Sequence, residues 1–235
     1  CAWAHGTAAI RTPLDSMGKQ VGLSWGVFRE MRTEWAGRIA LQAAALTPVD
    51  MVGTDEFEAV AQEVARSGGV LGTVTYPVPD IDEKLDIFFA TATRLGLDAD
   101  FHVDETADPE SRTLDAIARA VLRTGYGGTV LCGHCCSLAN QPDDVARATL
   151  DRVAEAGLNV VSLPLCNLYL QDRHARRTPR WRGITLVHEM AARGTRVCFA
   201  SDNTRDPFYA YGDSDMLEVM REATRIGHLD HPFGG

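Results

Sequence analysis

Three short polar clusters carry the residue types that hydrolytic chemistry uses: His102-Val103-Asp104-Glu105, Gly133-His134-Cys135 and Ser201-Asp202-Asn203. Each closes an apolar run rich in β-branched or aromatic residues. They lie roughly 30 or more residues apart, the length of one strand–helix unit. If those runs are neighbouring parallel strands, the chain brings imidazoles and carboxylates to one rim of a sheet. A divalent ion takes neutral imidazole and carboxylate ligands. An open catalytic site of that kind also needs a water of lowered pKa and a nearby carboxylate to move its proton. His102, Asp202 and Glu105 have the types for these roles, while His134 could ligate the ion or hydrogen-bond the water. Taken singly, each cluster is more often a satisfied strand-end polar group than a ligand; their conjunction is what points to chemistry.

Other groups are less specific. Cys132, Cys135 and Cys136 surround His134, but no second Cys or His pair stands at zinc-finger spacing. Small residues of a buried strand explain them better, and a thiol nucleophile at Cys135 would need an adjacent base. The segment from Gln171 to Arg182 holds Arg173, Arg176, Arg177, Arg180 and Arg182. It reads as a solvated loop or as a lid over the mouth. The turn Arg205-Asp206-Pro207-Phe208-Tyr209-Ala210-Tyr211 follows Asp202 and offers an aromatic wall against a flat heterocycle, or simple loop packing.

Stepping outward, strand-like runs recur near Ala8–Thr12, Ile39–Leu46, Val70–Thr75, Asp100–Val103, Thr129–Gly133, Val160–Leu165 and Val197–Ala200. Between them apolar residues fall at three- and four-residue spacing over Trp25–Trp35, Phe57–Ala65, Lys84–Leu95, Leu114–Leu122, Val145–Ala154, Leu186–Ala192 and Met216–Ile226. Glycines at 68, 96, 125, 157 and 194 stand where a left-handed residue would end each helix. Pro142-Asp143-Asp144 suits a helix start. Near-continuous apolar strands with a β-α repeat predict a parallel α/β fold, either an open doubly wound sheet or a (β/α)8 barrel. No Gly-x-Gly-x-x-Gly turn follows a strand, which weakens the dinucleotide-binding version of the open sheet. Seven strands are visible where a closed barrel needs eight.

The 235 residues suit one large α/β domain or two small ones, with 45% hydrophobic and 23% charged residues. A net charge of -9 argues against a nucleic-acid groove. No apolar run is long enough to span a membrane and no signal segment opens the chain, so a cytoplasmic location is expected. The six cysteines lie mostly inside strand-like runs, which also fits a reducing compartment. The chain opens at Cys1 and closes at Gly234-Gly235 just after a helix-like segment, which suggests a piece of a longer protein. Residues 1–235 are read as one domain.

Several segments together resemble the cytosine deaminase branch of the metal-dependent amidohydrolase superfamily. They are His102-Val-Asp-Glu105, Gly133-His134, Leu163-Pro-Leu-Cys-Asn-Leu-Tyr-Leu-Gln-Asp-Arg173, Arg182-Gly-Ile-Thr185 and Ser201-Asp-Asn-Thr-Arg-Asp-Pro-Phe208. The resemblance runs from Ile10-Arg11-Thr12 to the last helix. It implies a (β/α)8 TIM-type barrel, here incomplete, with strands 2 to 8 present and the first strand and a C-terminal β-structure missing. It implies hydrolysis of an exocyclic amino group of a small cytosine-like aromatic heterocycle, releasing ammonia, with one divalent ion, zinc or iron. By that analogy His102 ligates the metal and Glu105 moves protons to and from the ring. His134 positions the hydrolytic water, and Asp202 binds the metal and acts as the base.

The sequence departs from that pattern at several points. The His-x-His pair of the family's first strand is absent. Asn203 stands where cytosine deaminases more usually carry a second Asp, and Thr47-Pro48-Val49-Asp50 occupies the place of a substrate-binding Gln. Thr47, Asn203 and Phe208 are therefore the candidate substrate-binding residues. These departures keep a pterin or aminotriazine deaminase, or a cyclic amide hydrolase, in contention. They also leave open a polypeptide that is catalytically incompetent as given. Homo-oligomerisation is left open; no nucleic-acid or membrane partner is expected.

Overall fold

A computed structural model describes residues 1–230. The closing Gly234-Gly235, singled out above, lies outside the described residues.

Seven strands, all parallel, alternate with helices. β1 (Ala9–Asp15) precedes α1 (Gln20–Glu34), β2 (Ala40–Leu46) precedes α2 (Asp55–Ser67), and β3 (Leu71–Thr75) precedes α3 (Ile81–Leu95). β4 (Ala99–Val103) leads to α4 (Thr113–Thr124), and β5 (Val130–His134) to α5 (Asp143–Glu155). β6 (Asn159–Ser162) leads to α6 (Pro164–Leu170) and α7 (Val187–Ala191), and β7 (Arg196–Phe199) to α8 (Met216–Gly227). β1 pairs with β2, and β3 to β7 pair in sequence order. Isolated parallel bridges, Ala44 to Val70 and Pro48 to Val74, join the two groups into one arc. Among the described residues β1 and β7 end this order and no ladder joins them. This is the expected partial (β/α)8 arrangement, with all strand C-termini on one rim.

Burial follows position in the arc. β3 and β4 are almost wholly buried, whereas β1 and β7 alternate between half-buried and exposed residues. The helices cover the outer face. Phe101 and Val103 of β4 are 0% exposed, and Phe101 packs on Phe88 of α3 with ring centroids 4.7 Å apart. Successive strand residues point to opposite faces. Asp100 and His102 therefore occupy the inner face of β4. Low in that interior the Asp100 carboxylate accepts from Arg11 Nη1 of β1 at 2.8 Å, and Arg11 Nε donates to Gln42 of β2 at 2.7 Å. This polar tie spans the arc beneath the rim.

The left-handed glycines end α2, α3 and α4 at Gly68, Gly96 and Gly125 as expected. α5 starts at Asp143, behind Pro142. Some boundaries depart from the sequence reading. The sixth strand stops at Ser162 instead of Leu165, and Pro164 opens a helix. Proline is pre-organised for a first helical turn and cannot donate to a ladder, so the chain turns away from the sheet here. α1 also begins earlier than Trp25, at Gln20. No helix among the described residues is long and apolar enough to cross a membrane.

Candidate active site

The rim over β4 to β7 collects the chemistry. His102 is the fourth residue of β4, His134 closes β5, Glu105 follows β4 and Asp202 follows β7. Four non-glycine residues at these strand ends adopt left-handed backbone: Asp104 (φ 48), His134 (φ 67), Cys135 (φ 51) and Asp202 (φ 61). Such conformations cost free energy and persist only where surrounding contacts over-determine them. Asp104 shows how. It is 3% exposed and turns away from the mouth. Its carboxylate accepts from the Thr113 and Leu114 backbone N–H groups at 3.0 Å each, and from the hydroxyls of Ser111 and Thr113 at 2.7 Å each. This side-chain cap ties the start of α4 to the end of β4 and leaves Glu105, one residue on, over the rim.

Glu105, His134 and Asp202 each offer a ligand-type atom, and these atoms lie within 4.8 Å of one another. His102 is not part of this triad, although its ring centroid is 5.1 Å from that of His134. The donor set of two carboxylates and an imidazole, with a second imidazole adjacent, suits a borderline divalent ion. His134 Nε2 is buried with no hydrogen-bond partner.

The electrostatics separate the carboxylates. Burial, then the Asp202 charge, raises the Glu105 pKa to about 7 against an opposing hydrogen bond from Asn167. Its side chain is 34% exposed, so solvent reaches it at the rim. Burial, then the His102 ring, lowers the His134 pKa to about 3 and keeps that imidazole neutral. Asp202 is raised by burial, opposed first by a hydrogen bond from Cys166 and then by His102.

Asn167 links two of these groups. This α6 residue is 1% exposed, and its Nδ2 lies 3.0 Å from Glu105 Oε1 and 3.0 Å from His134 Nδ1. Gln171 Nε2 adds a bond to the Glu105 carbonyl at 3.2 Å. Behind α6 the Arg182-Gly183 segment packs so closely that a Cβ on Gly183 (φ +69) would lie 2.6 Å from Gln171 Cβ. The sequence reading ran the sixth strand to Leu165, just short of Asn167, and gave Asn167 no role. The Pro164 start signal, read as a helix, would have turned its side chain toward the site.

The proposed substrate contacts fare unevenly. Thr47 is 1% exposed and its hydroxyl donates to the Gly72 carbonyl at 3.1 Å, so it is occupied in joining β2 to β3. Asn203 Nδ2 donates to Asp206 at 2.6 Å, and its Oδ1 accepts from the Cys166 thiol at 3.7 Å. Phe208 is 60% exposed. The aromatic cluster forms instead from Tyr169, Tyr209 and Tyr211, with centroids 5.4 to 5.9 Å apart. Arg173 stacks on Tyr169 at 4.2 Å. In the arginine-rich loop Asp172 accepts from the Arg177 side chain and from the Trp181 N–H, and Arg182 donates to the Ile226 carbonyl. Cys132, Cys135 and Cys136 are buried, and burial raises all three thiols, which argues against a thiolate nucleophile.

Known proteins are similar to this chain. A pterin deaminase of Rhizobium rhizogenes strain K84 is 59% identical over 233 residues, which cover 99% of this chain and 53% of that protein. An N-isopropylammelide isopropyl amidohydrolase of Pseudomonas sp. strain ADP is 22% identical, over 94% of this chain and 53% of its own. The crystal structure of 5-methylcytosine deaminase from Klebsiella pneumoniae with 5-fluorocytosine superposes with a TM-score of 0.86 at 25% identity. That match covers 97% of this chain and 56% of the other. The chain thus spans about half the length of these relatives. With the amidohydrolase family model matching residues 24–232, the chain belongs to the amidohydrolase family.

Proposed function

We propose that the protein containing this chain hydrolyses an exocyclic amino group from an aminopterin-type bicyclic heterocycle, releasing ammonia. The carrying observation is the rim itself: Glu105, His134 and Asp202 bring ligand-type atoms within 4.8 Å of one another, with the Glu105 carboxyl raised to about 7 by burial and then by the Asp202 charge. The 59% identity to a pterin deaminase supports a pterin over the cytosine-like substrate favoured by sequence motifs alone.

Hydrolytic deamination adds water to the ring carbon bearing the amino group and expels ammonia. Asp202, with its pKa raised by burial, takes a proton from the attacking water. Glu105 delivers a proton to the ring nitrogen beside that carbon; the proton taken by Asp202 then passes to the departing amine, which leaves as ammonia, while the hydroxyl proton of the adduct returns to Glu105. A pKa near the working pH lets one carboxyl group both give and take. His134 directs Nε2 at the reacting oxygen. His102 and Asp202 would hold a divalent ion, zinc or iron; when bound it would act as a Lewis acid that lowers the pKa of water. The tyrosine cluster with Arg173 would flank a flat bicyclic ring.

Ammonia release by the full-length, metal-loaded protein from pterin, cytosine, isocytosine and aminotriazines tests this reading. Turnover of the pterin with cytosine inert is the expected result; no turnover of any of them overturns it. Loss of a larger amine, or ring opening without loss of nitrogen, would assign the site to the other amidohydrolase reactions.

A further inference from the structure

We infer that Asn167 is a positioning residue that fixes the His134 ring in the tautomer protonated at Nε2, making His134 a hydrogen-bond donor to the site and not a metal ligand. A neutral imidazole carries one hydrogen, and the partner of one ring nitrogen decides which nitrogen holds it. The nearest neighbour of His134 Nδ1 is the Asn167 amide nitrogen at 3.0 Å, a group that can only donate. The acceptors around Nδ1 stand farther off, Asn167 Oδ1 at 3.3 Å and Glu105 Oε1 at 3.4 Å. A hydrogen on Nδ1 would face a donor at the shortest contact; a lone pair there meets a hydrogen.

The amide cannot simply turn over. Its Nδ2 also donates to Glu105 Oε1 at 3.0 Å, and with Glu105 ionised a reversal would set a carbonyl oxygen against that carboxylate. Glu105 therefore orients the amide and the amide orients the ring. Asn167 is 1% exposed and His134 2%, so water does not compete for these positions. The hydrogen left on Nε2 would be a buried donor without a partner in the protein. A lone pair at Nε2 would suit a cation, whereas N–H suits the oxygen of an attacking water or of the tetrahedral adduct. This assignment removes His134 from the ligand-type triad. It rests on the proposed function only for what Nε2–H would serve, not for the tautomer.

Nitrogen-15 NMR of the full chain labelled at histidine reads the tautomer without substrate, metal or turnover. The His134 signals are identified by their absence in His134→Gln. A pyrrole-type shift at Nε2 with a pyridine-type shift at Nδ1 is expected; the reverse pattern, or averaged shifts, overturns the inference. Asn167→Asp replaces the donor by an acceptor and should switch the hydrogen to Nδ1; an unchanged pattern in that variant removes Asn167 from control. If the variant does not fold, the wild-type spectrum alone decides. In the full-length protein the same substitution should lower kcat by about 10–100-fold, the usual effect of a residue behind a site, with KM much less changed. Equal losses in kcat and 1/KM would mark a merely structural role.

Discussion

The two sides of the site are built unlike each other. Glu105 and His134 rise from β4 and β5, strands paired on both edges and sealed beneath α3, α4 and α5. Asp202 follows β7, which ends the arc and alternates half-buried with exposed residues. On the first side, position is enforced by buried hydrogen bonds: four from Asp104 into the start of α4, and the Asn167 bridge between Glu105 and His134. On the second, Asp206 accepts from the Phe208 and Tyr209 N–H groups and from Asn203 in a largely exposed turn. Glu105, the proposed proton shuttle, and His134 thus sit on the more heavily hydrogen-bonded side, and Asp202, proposed to hold the ion and take the water's proton, follows the more exposed strand.

Substitution at the acids should separate these sides most sharply. Glu105→Gln in the full-length, metal-loaded protein should lower the rate by about 10²–10⁴-fold while metal content stays unchanged. Asp202→Asn should lower both. Metal analysis beside steady-state kinetics checks the pair, and a fully active Glu105→Gln would remove its proton-shuttle role.

Stability should show the same asymmetry on a smaller scale. Asp104→Ala strips a buried cap from two backbone N–H groups and two hydroxyls, and should cost about 2–4 kcal/mol in urea unfolding. Asp206→Ala breaks bonds in an exposed turn and should cost no more than about 1 kcal/mol. Equal costs would erase the contrast.

The pH dependence should be the subtlest effect, with opposite signs within the more heavily hydrogen-bonded side. The folded pKa of Glu105, about 7, lies above its ordinary 4.5. The folded state therefore holds the extra proton, and stability from this group falls as pH rises between those values. His134 is shifted the other way, from 6.5 to about 3, so its contribution is lost as pH falls through that window. Glu105→Gln should gain on wild type in unfolding midpoint between about pH 5 and about pH 7.5, while His134→Gln should lose the acid-side slope. A flat difference for Glu105→Gln would mean its carboxyl group is solvated.

Much of this could be read in the sequence. The strand–helix beat placed all seven strands, because parallel strands covered by helices are locally apolar and their helices end at glycines such as Gly68, Gly96 and Gly125 that accept positive φ. The strand-end positions of His102, His134, Glu105 and Asp202 followed from the same beat, since side chains at the ends of neighbouring parallel strands share one rim. Chain order alone could not say which polar groups were already spent. Asp104 and Glu105 are adjacent carboxylates of like chemistry; only the packing of α4 onto β4 turned the first into a cap and left the second at the rim. Thr47 and Asn203 looked available until their partners, 25 residues away and three residues on, came into place. Asn167 was hidden because the start of its helix was read as strand, and its two partners come from β4 and β5. Secondary structure is written in local periodicity, but hydrogen-bond satisfaction and pKa are properties of neighbours that meet only when the chain folds.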